Sequence, residues 1–215
     1  MTAAWARSRG ELLISNYVSG PSGTWMLPLR KAVFDDGHLR LGWWEANEAL
    51  KGEPVELETR NLTLDAGAGG RKAVWLEPSF GLGQGAIIEG AIRASAGDHR
   101  PPAGFVFSEH GGRAIEIRLG VGGPGERETH IGRYNVVTGF KSEDVTGMGC
   151  ATVTGIEDGK EHAFRLLLRH DLFELYVDDL LVQTYVYKPE GGKVGLLAND
   201  ASITFANIEA WRMDL

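Results

Sequence analysis

The sequence predicts an all-β protein, a two-sheet antiparallel β-sandwich, and three observations predict it. Apolar and polar residues alternate with a period of two along many short segments, and turn signals separate those segments at short intervals. Glycine is abundant, with 30 of the 215 residues. Side chains on a strand point to opposite faces in turn, so the alternation indicates half-buried strands. Regularly spaced strands with turns between them are typical of a sandwich or barrel.

The alternation begins in the N-terminal half of the chain. Three segments each place their apolar residues on one face of a predicted strand. These sets are Leu39, Leu41 and Trp43; Phe105 and Phe107; and Ile115, Ile117 and Leu119. Turn signals occur at 20–23, 35–37, 67–70 and 122–125, where glycine allows positive φ without a steric cost. A helix is predicted only for the short segment 45–51, which leaves no helical crossovers for a parallel sheet.

The C-terminal third predicts a meander of strands at 162–169, 172–177, 181–187, 193–198 and 203–211. His170-Asp171 and Asp178-Asp179 supply two of its turns, since Asp tolerates the left-handed conformations of tight hairpins. No composition break, linker or internal repeat interrupts the chain. We therefore expect residues 1–215 to form a single β-sandwich domain, a size that all-β domains often reach.

Charge and composition exclude several kinds of partner. The formal net charge is −7, so the basic footprint of a nucleic-acid-binding protein is missing and anionic membrane surfaces are disfavoured. No stretch approaches the ~20 apolar residues of a membrane span. The N-terminus lacks the order of a signal peptide, which favours a cytoplasmic location, and export stays open as the alternative. Cys150 is the only cysteine, so no internal disulfide forms, and we expect a small buried hydrophobe there.

Several segments resemble a known family. Residues 25–39, WMLPLRKAVFDDGHL, run from an apolar-Pro-Leu-Arg stretch through a turn into a strand. This resembles the start of the C-terminal sandwich of glycoside hydrolase family 32, the fructan hydrolases and invertases. Residues 45–52, EANEALKG, resemble the short segment that follows there. FELYVDD at 173–179, GKVGL at 192–196 and FANIEAW at 205–211 resemble strands of that domain and of other concanavalin-type modules. The resemblance implies a concanavalin-like jelly roll.

The chain departs from this family in the residues that carry catalysis. The catalytic groups of family 32 lie in an N-terminal five-bladed propeller, in Trp-x-Asn-Asp-Pro-like, Glu-Cys and Arg-Asp-Pro motifs. None of these strings occurs here, and Cys150 follows Gly149. The resemblance therefore implies an accessory sandwich without catalytic residues, whose partners are carbohydrate and a catalytic propeller domain or chain.

Candidate carboxylates for a glycosidase are present but are not arranged convincingly. A glycosidase needs two acids that flank the scissile bond. Glu56 and Glu58 share one face of a strand, but they alternate with apolar residues and so belong to a solvated face. Glu116 and Asp178-Asp179 are further candidates, and the Asp pair is typical of a hairpin turn. We predict no catalytic residue in this chain.

The sequence also predicts no metal site and no cofactor. The six histidines form no His-x-His or His-Glu-x-x-His arrangement. A structural calcium in a loop stays open, with Asp98, Asp144 and Asp200 as oxygen donors, although no dense acidic loop is present. The glycine-rich segments 81–85 and 120–125 are followed by strands rather than by a helix, so we interpret them as turns and not as phosphate loops.

Tryptophans are the candidate carbohydrate-binding residues, because sugars stack their apolar faces on aromatic rings. Trp43 and Trp44 are adjacent on one strand, so their rings face opposite ways. Trp43 shares the face of Leu39 and Leu41 and is expected in the core, which makes Trp44 the surface candidate. Trp25 and Trp75 are further candidates, and core or interdomain packing is an equal alternative for all of them.

Two functions of different classes follow. The first is a non-catalytic accessory sandwich of a glycoside hydrolase, which packs on a catalytic propeller and contributes to carbohydrate binding. The second is a free-standing concanavalin-type carbohydrate-binding protein, glycoside hydrolase or lyase. An accessory half should expose a contiguous apolar patch, whereas a lectin or enzyme should show a polar groove with exposed Trp rings. A structural module without a sugar role fits the fold equally well.

Overall fold

The computed structural model describes residues 3–8, 10–20, 23–35, 37–95, 103–120, 129–135, 142–144 and 156–214. They form one 3-10 helix, Glu45–Leu50, and eighteen strands that pair antiparallel throughout the described part. The strands are β1 (Ala3–Ser8), β2 (Glu11–Gly20), β3 (Gly23–Met26), β4 (Arg30–Asp35), β5 (His38–Trp43), β6 (Lys51–Val55), β7 (Leu62–Asp65), β8 (Arg71–Trp75), β9 (Ala86–Ala94), β10 (Ala103–Glu109), β11 (Arg113–Leu119), β12 (Thr129–Asn135), β13 (Ser142–Asp144), β14 (Glu161–Arg169), β15 (Leu172–Val177), β16 (Leu180–Val186), β17 (Pro189–Asn199) and β18 (Ser202–Met213).

The strands form two sheets, so the predicted all-β class is confirmed. The large sheet has the order β1-β2-β4-β5-β16-β15-β14-β9-β18-β6, with β3 paired to β2 and β7 paired to β18. The small sheet has the order β13-β12-β11-β10-β17-β8. The helix predicted at 45–51 is a single 3-10 segment, and Lys51 already begins β6.

The main core lies between the two sheets, where aromatic rings from each sheet meet. Phe105 of β10 and Phe164 of β14 have ring centroids 5.0 Å apart. Phe107 of β10 stacks on Phe173 of β15, with centroids 4.4 Å apart and planes 9° apart. Burial of one such ring contributes roughly 1.5–3 kcal/mol, so these contacts hold the sheets together. The two-sheet sandwich predicted from the alternation is confirmed.

The five strands predicted in the C-terminal third are confirmed as β14 to β18, but only β14, β15 and β16 form a meander. β17 pairs with β10 and β8 in the small sheet and β18 pairs with β9 in the large sheet, so the meander prediction is wrong for the last two strands. Asp178 and Asp179 adopt φ values of 48° and 61°, so the turn between β15 and β16 uses the left-handed conformation that Asp tolerates. The Asp178 carboxylate accepts a hydrogen bond from the Ala163 N–H at 3.0 Å, and its other oxygen lies 2.6 Å from His162 Nδ1. This carboxylate therefore fastens the turn to β14, and the Asp pair is a hairpin turn as predicted.

A second buried cluster covers part of the outer face of the large sheet, the face turned away from the small sheet. It consists of Trp43, Ile87, Leu167, Tyr176 and Met213. Each of the middle three alternates along its strand with main-core residues, which places it on the opposite face. The predicted burial of Trp43 is confirmed, but its contacts are on the outer face.

The prediction that Leu39 lies in the core is wrong. That prediction came from the strand face that Leu39 shares with Trp43. Leu39 and Trp43 do lie on the same face of β5, since they stand opposite Phe34 and Arg30 of β4. Nevertheless 66% of Leu39 is exposed. The outer cluster includes Trp43 but does not extend to the β4–β5 turn. Alternation along the strand therefore identified the face correctly but not how far it is covered.

Candidate functional site

The structure places the predicted tryptophans in different surroundings. Trp44 follows β5 and is partly buried, and its indole N–H donates a hydrogen bond to Glu11 Oε2 at 2.9 Å. Trp75 ends β8 in the small sheet and packs against Val106 and Ala114. Trp25 lies in β3 of the large sheet. Trp44 therefore lies at the end of a strand of the large sheet, whereas Trp75 lies in the small sheet, and a sugar-binding role for any of the three stays a prediction.

A glycine makes room for Trp75 on the small sheet. Gly195 stands directly opposite Trp75 in the β17–β8 ladder. A Cβ atom at that position would lie 2.7 Å from Val106 Cγ1 and 3.1 Å from the Trp75 ring, both too close for unstrained packing. The ring and Val106 thus occupy the space that a side chain on Gly195 would take, which favours the packing alternative for Trp75.

The carboxylates considered for catalysis are not brought together. Glu56 and Glu58 are exposed, as predicted, but β6 ends at Val55, so they lie beyond the strand and not on one face of it. Glu116 is completely buried on β11 and is ion-paired with Arg71 and lies 3.3 Å from Arg118 Nε. Its carboxylate is enclosed and engaged by two guanidinium groups, so Glu116 is not placed to meet a substrate as a general acid.

A network of ion pairs, the outer-face ion network, joins three strands of the large sheet, β6, β9 and β14, to the 3-10 helix and to the β15–β16 turn. Arg165 of β14 binds three carboxylates, those of Glu48, Glu89 and Asp179. Lys51 of β6 binds Glu48 at 2.6 Å and Glu89 at 2.8 Å. Every carboxylate in this network is therefore paired, which is the pattern of a structural clamp rather than of a reacting acid.

Tryptophan rings frame the outer-face ion network. The Arg165 guanidinium lies 4.2 Å from the centroid of the Trp43 ring, and Lys51 Nζ lies 4.3 Å from that of Trp211. Trp43 also donates a hydrogen bond from its indole N–H to Glu48 at 2.8 Å. Cation–π contacts of this kind contribute roughly 0.5–2 kcal/mol each. The network thus anchors the 3-10 helix and the start of β6 on the sheet.

Glu48 keeps its charge in this network. Partial burial raises the pKa of the Glu48 carboxyl, but hydrogen bonds from Lys51 and Trp43 and the charges of Lys51 and Arg165 outweigh burial and hold it below its ordinary value. A carboxyl whose folded-state pKa is depressed stabilises the fold above its unfolded pKa. That stability is lost as the pH falls through the folded pKa.

We expect the Glu48→Gln substitution to lower the free energy of unfolding by no more than about 1 kcal/mol at pH 7, since solvent screens partly exposed ion pairs. At pH 3, below the ordinary pKa of a Glu carboxyl of about 4.3, the difference from the wild type should be smaller, because the stability that a depressed pKa contributes is being lost there. Urea unfolding at the two pH values measures both. Glu56→Gln is the matched control, and a difference that grows at pH 3 would contradict the prediction.

An apolar patch extends over β2, β4 and β5 on the outer face. Phe34 and Leu39 stand directly opposite each other in the β4–β5 ladder and are 77% and 66% exposed. Ala32 stands opposite Leu41 in the next row on the same face. Continuing the β2–β4 register by one residue places the exposed Leu12 beside Ala32. These five residues are called the β2–β5 apolar patch.

A second exposed apolar pair lies on the neighbouring hairpin. Tyr17 of β2 and Met26 of β3 stand opposite each other and are both exposed. Met26 also lines an apolar cavity of about 240 Å³ whose walls include Leu29, Leu50 and Leu167. Because all five exposed large hydrophobic side chains of the described part fall within residues 12–39, this region is the apolar surface of the molecule.

The described residues contain neither a cluster of metal-binding side chains nor a helix that could span a membrane. No three His, Cys, Asp or Glu side chains among them converge as a metal site. Asp200 accepts a hydrogen bond from the Gly69 N–H, and Asp144 lies in β13. Asp98, Cys150 and the turn signal at 122–125 lie outside the described residues. The described part also contains no helix with the length and apolar character of a membrane span.

Comparisons with known proteins relate the chain to carbohydrate-active structures. No protein-family model matches it, and no curated protein is detectably similar in sequence. Among solved structures, the sucrose-6-phosphate hydrolase of Lactobacillus gasseri matches 95% of this chain at 14% identity with a TM-score of 0.57. A GH32 β-fructofuranosidase of Bombyx mori matches 98% at 12% identity with a TM-score of 0.55.

The share of its own length over which a neighbour matches this chain is small for the two enzymes and nearly complete for a carbohydrate-binding module. The chain corresponds to 39% and 40% of those two enzymes, so it spans about two fifths of their length. The carbohydrate-binding module CBM66 of Bacillus subtilis is instead covered over 96% of its own length, with 71% of this chain, 17% identity and a TM-score of 0.50. The chain therefore has the β-sandwich fold that glycoside hydrolase family 32 enzymes and carbohydrate-binding modules contain, as the sequence resemblance implied.

Proposed function

We propose that the chain is a non-catalytic accessory β-sandwich of a glycoside hydrolase, and that its β2–β5 apolar patch packs on the catalytic domain. The observation that carries the proposal is the patch itself. Soluble monomers rarely expose large contiguous apolar surface, and such patches mark interaction sites. Phe34 and Leu39 in particular place an aromatic and an aliphatic side chain side by side in solvent.

The lengths of the neighbouring enzymes support a catalytic domain as the occupant. The chain spans about two fifths of each, so their remaining length is available for a second unit beside this fold. The ion pairing of Glu48, Glu89 and Glu116 supports a non-catalytic role for the described part. The apolar cavity beside Met26 offers a place for one anchoring side chain of the partner, the usual form of an interface hot spot.

We expect the tagged chain, purified from its native host, to retain a protein with glycoside hydrolase activity in a one-to-one ratio. The double substitution Phe34→Ser/Leu39→Ser should reduce that retention at least tenfold, because two exposed apolar side chains together contribute about 2 kcal/mol or more when buried. Glu56→Ser/Glu58→Ser is the matched control, since it changes two exposed residues outside the patch. Mass spectrometry and a fructan- and sucrose-cleavage assay identify the retained protein.

Two outcomes would contradict this proposal. One is recovery of the chain alone, as a soluble monomer by light scattering, from a host that also produces glycoside hydrolases. The other is equal retention of a hydrolase by the wild type and by Phe34→Ser/Leu39→Ser, which would place the interface elsewhere.

A contribution to carbohydrate binding is the second candidate function, and one specific observation favours it. A polar cavity of about 440 Å³ lies at one end of the sandwich, lined by charged and aromatic side chains. The near-complete coverage of the carbohydrate-binding module CBM66 by this fold supports the same idea. Trp44, Trp25 and Trp75 stay candidates for sugar stacking, and alanine substitution of each in a glycan-binding assay tests them.

A further inference from the structure

The polar cavity lies where the chain passes from the large sheet to the small sheet. β16 ends at Val186 and β17 begins at Pro189, so Tyr187 and Lys188 cross between the sheets. The β10–β11 turn faces this crossing, and its His110 N–H donates a hydrogen bond to the Lys188 carbonyl at 2.8 Å. A cavity of about 440 Å³ is within the range of small-molecule sites, roughly 300–1,000 Å³.

Two buried groups form the base of this cavity. Glu109 and Tyr187 line it and are only 5% and 3% exposed. The Tyr187 ring packs in the main core, 5.9 Å from Phe107 and 5.6 Å from Phe173 between centroids. Burial, followed by the nearby carboxylates of Asp171 and Glu109, raises the pKa of the Tyr187 hydroxyl, so it stays neutral. The base is therefore rigid and combines a phenol with an acidic side chain.

Basic side chains surround the mouth of the cavity. His110, Arg113 and Lys188 all line it and are exposed. None of the three forms an ion pair with another residue in the described part of the chain. The loop that carries His110 is held in place, because the Gly111 N–H donates a hydrogen bond to Glu190 at 3.1 Å. The mouth thus presents hydrogen-bond donors on a fixed loop.

This arrangement suits a neutral, hydroxyl-rich ligand better than an anion. A hydroxyl group can donate a hydrogen bond to the Glu109 carboxylate and accept one from Arg113 or Lys188. An unprotonated anion offers only acceptors, so it could pair with the donors at the mouth but could not donate a hydrogen bond to the Glu109 carboxylate at the base. Val186 and the Tyr187 ring provide apolar contacts for the C–H groups of such a ligand.

We infer that this cavity binds one monosaccharide unit at the end of a neutral glycan, with Glu109 accepting hydrogen bonds from its hydroxyls and Arg113 and Lys188 donating to them. The inference rests on the proposed carbohydrate-related function and adds the site, its residues and the class of ligand. It does not depend on the β2–β5 apolar patch, whose residues are none of those that line the cavity.

The test is isothermal titration of the whole chain with fructose, sucrose, glucose and inulin as probes. We expect at least one of these probes to bind to the wild type. Its affinity for Arg113→Ala and for Glu109→Gln should be lower by a factor of about ten or more. This is the effect of losing one hydrogen bond to a charged group. Arg93→Ala is the matched control, since Arg93 is exposed on β9 and does not line the cavity.

Three outcomes would overturn the inference. One is that no probe binds, and another is that binding survives both substitutions but is lost in Trp44→Ala. The third is Arg113-dependent binding of inorganic phosphate without binding of any sugar. If Glu109→Gln does not fold, Arg113→Ala decides alone, because Arg113 is exposed. Each of these outcomes leaves the patch-dependent association with a hydrolase intact, so the two proposals fail separately.

Discussion

Replacing Arg30 by methionine is expected to lower the free energy of unfolding by about 3–5 kcal/mol, since it leaves a buried carboxylate without its countercharge. Arg30 and Glu174 form an ion pair in which the side chains are 3% and 0% exposed. Arg30 also donates a hydrogen bond to Asn16 at 2.8 Å, and the Tyr176 hydroxyl donates one to Glu174 at 2.7 Å. The pair thus connects β2, β4 and β15.

The double substitution Arg30→Met/Glu174→Gln is expected to recover most of this loss. It removes both charges, and the glutamine oxygen can still accept the hydrogen bond of Tyr176. Breaking one side of a buried pair is costly, whereas replacing both sides is often close to neutral. Chemical denaturation followed by tryptophan fluorescence measures the free energies of unfolding of the wild type, of the single variants Arg30→Met and Glu174→Gln, and of the double variant. For a chain of this size, the single substitution corresponds to a fall in Tm on the order of 10 °C.

The neighbouring residue provides the control for Arg30. Lys31 also forms an ion pair, with Glu45, but 68% of the Glu45 side chain is exposed. Lys31→Met should therefore change the stability by about 0–1 kcal/mol. Equal effects of Arg30→Met and Lys31→Met would show that the Arg30–Glu174 pair is not shielded from solvent.

Truncating Phe107 to alanine should cost a similar amount, about 3–5 kcal/mol, because it opens a cavity between the two sheets. The Phe107 ring stacks on Phe173 with centroids 4.4 Å apart and also contacts Tyr187. The same substitution at Phe34, which is 77% exposed, should change the stability by no more than about 0.5 kcal/mol. Thermal and chemical unfolding of the two variants measure the contrast.

The comparison of the two phenylalanines also tests the apolar patch. A loss at Phe34 as large as that at Phe107 would mean that Phe34 is buried in solution, for instance between two copies of the chain. In that case light scattering would detect an oligomer, and the patch would no longer support a hydrolase domain as its occupant. A loss at Phe107 below about 1 kcal/mol would instead contradict the packing of the two sheets described above.

Local rules account for the parts of this fold that were predicted well. The alternation of Phe164, Leu166 and Leu168 with Arg165 and Leu167 already divides β14 into two faces. The turn at Asp178-Asp179 needs only the tolerance of Asp for positive φ, which both residues show. The segments at 25–39 and 173–179 were enough to identify the concanavalin-like sandwich, and the structural neighbours confirm that fold.

The candidate sites depended on contacts between distant segments. Arg30 and Glu174 are separated by 144 positions, and no local pattern pairs them. Glu109 and Tyr187 come together only because the crossing from β16 to β17 passes the β10–β11 turn. The sequence carried one local sign of the β2–β5 apolar patch. Two apolar residues, Phe34 and Leu39, stand on either side of the turn at 35–37.

The sequence by itself therefore determined several of the strands, among them β5, β10, β11 and those of the C-terminal third, together with many of the turns, the two-sheet class and the absence of the family's catalytic motifs. The tertiary structure decided which faces are covered, which charges are paired and where cavities form. The physical reason is that the period of two assigns each side chain to a face, whereas burial depends on what packs over that face. Trp43 and Leu39 share one face of β5, yet the outer cluster covers only Trp43.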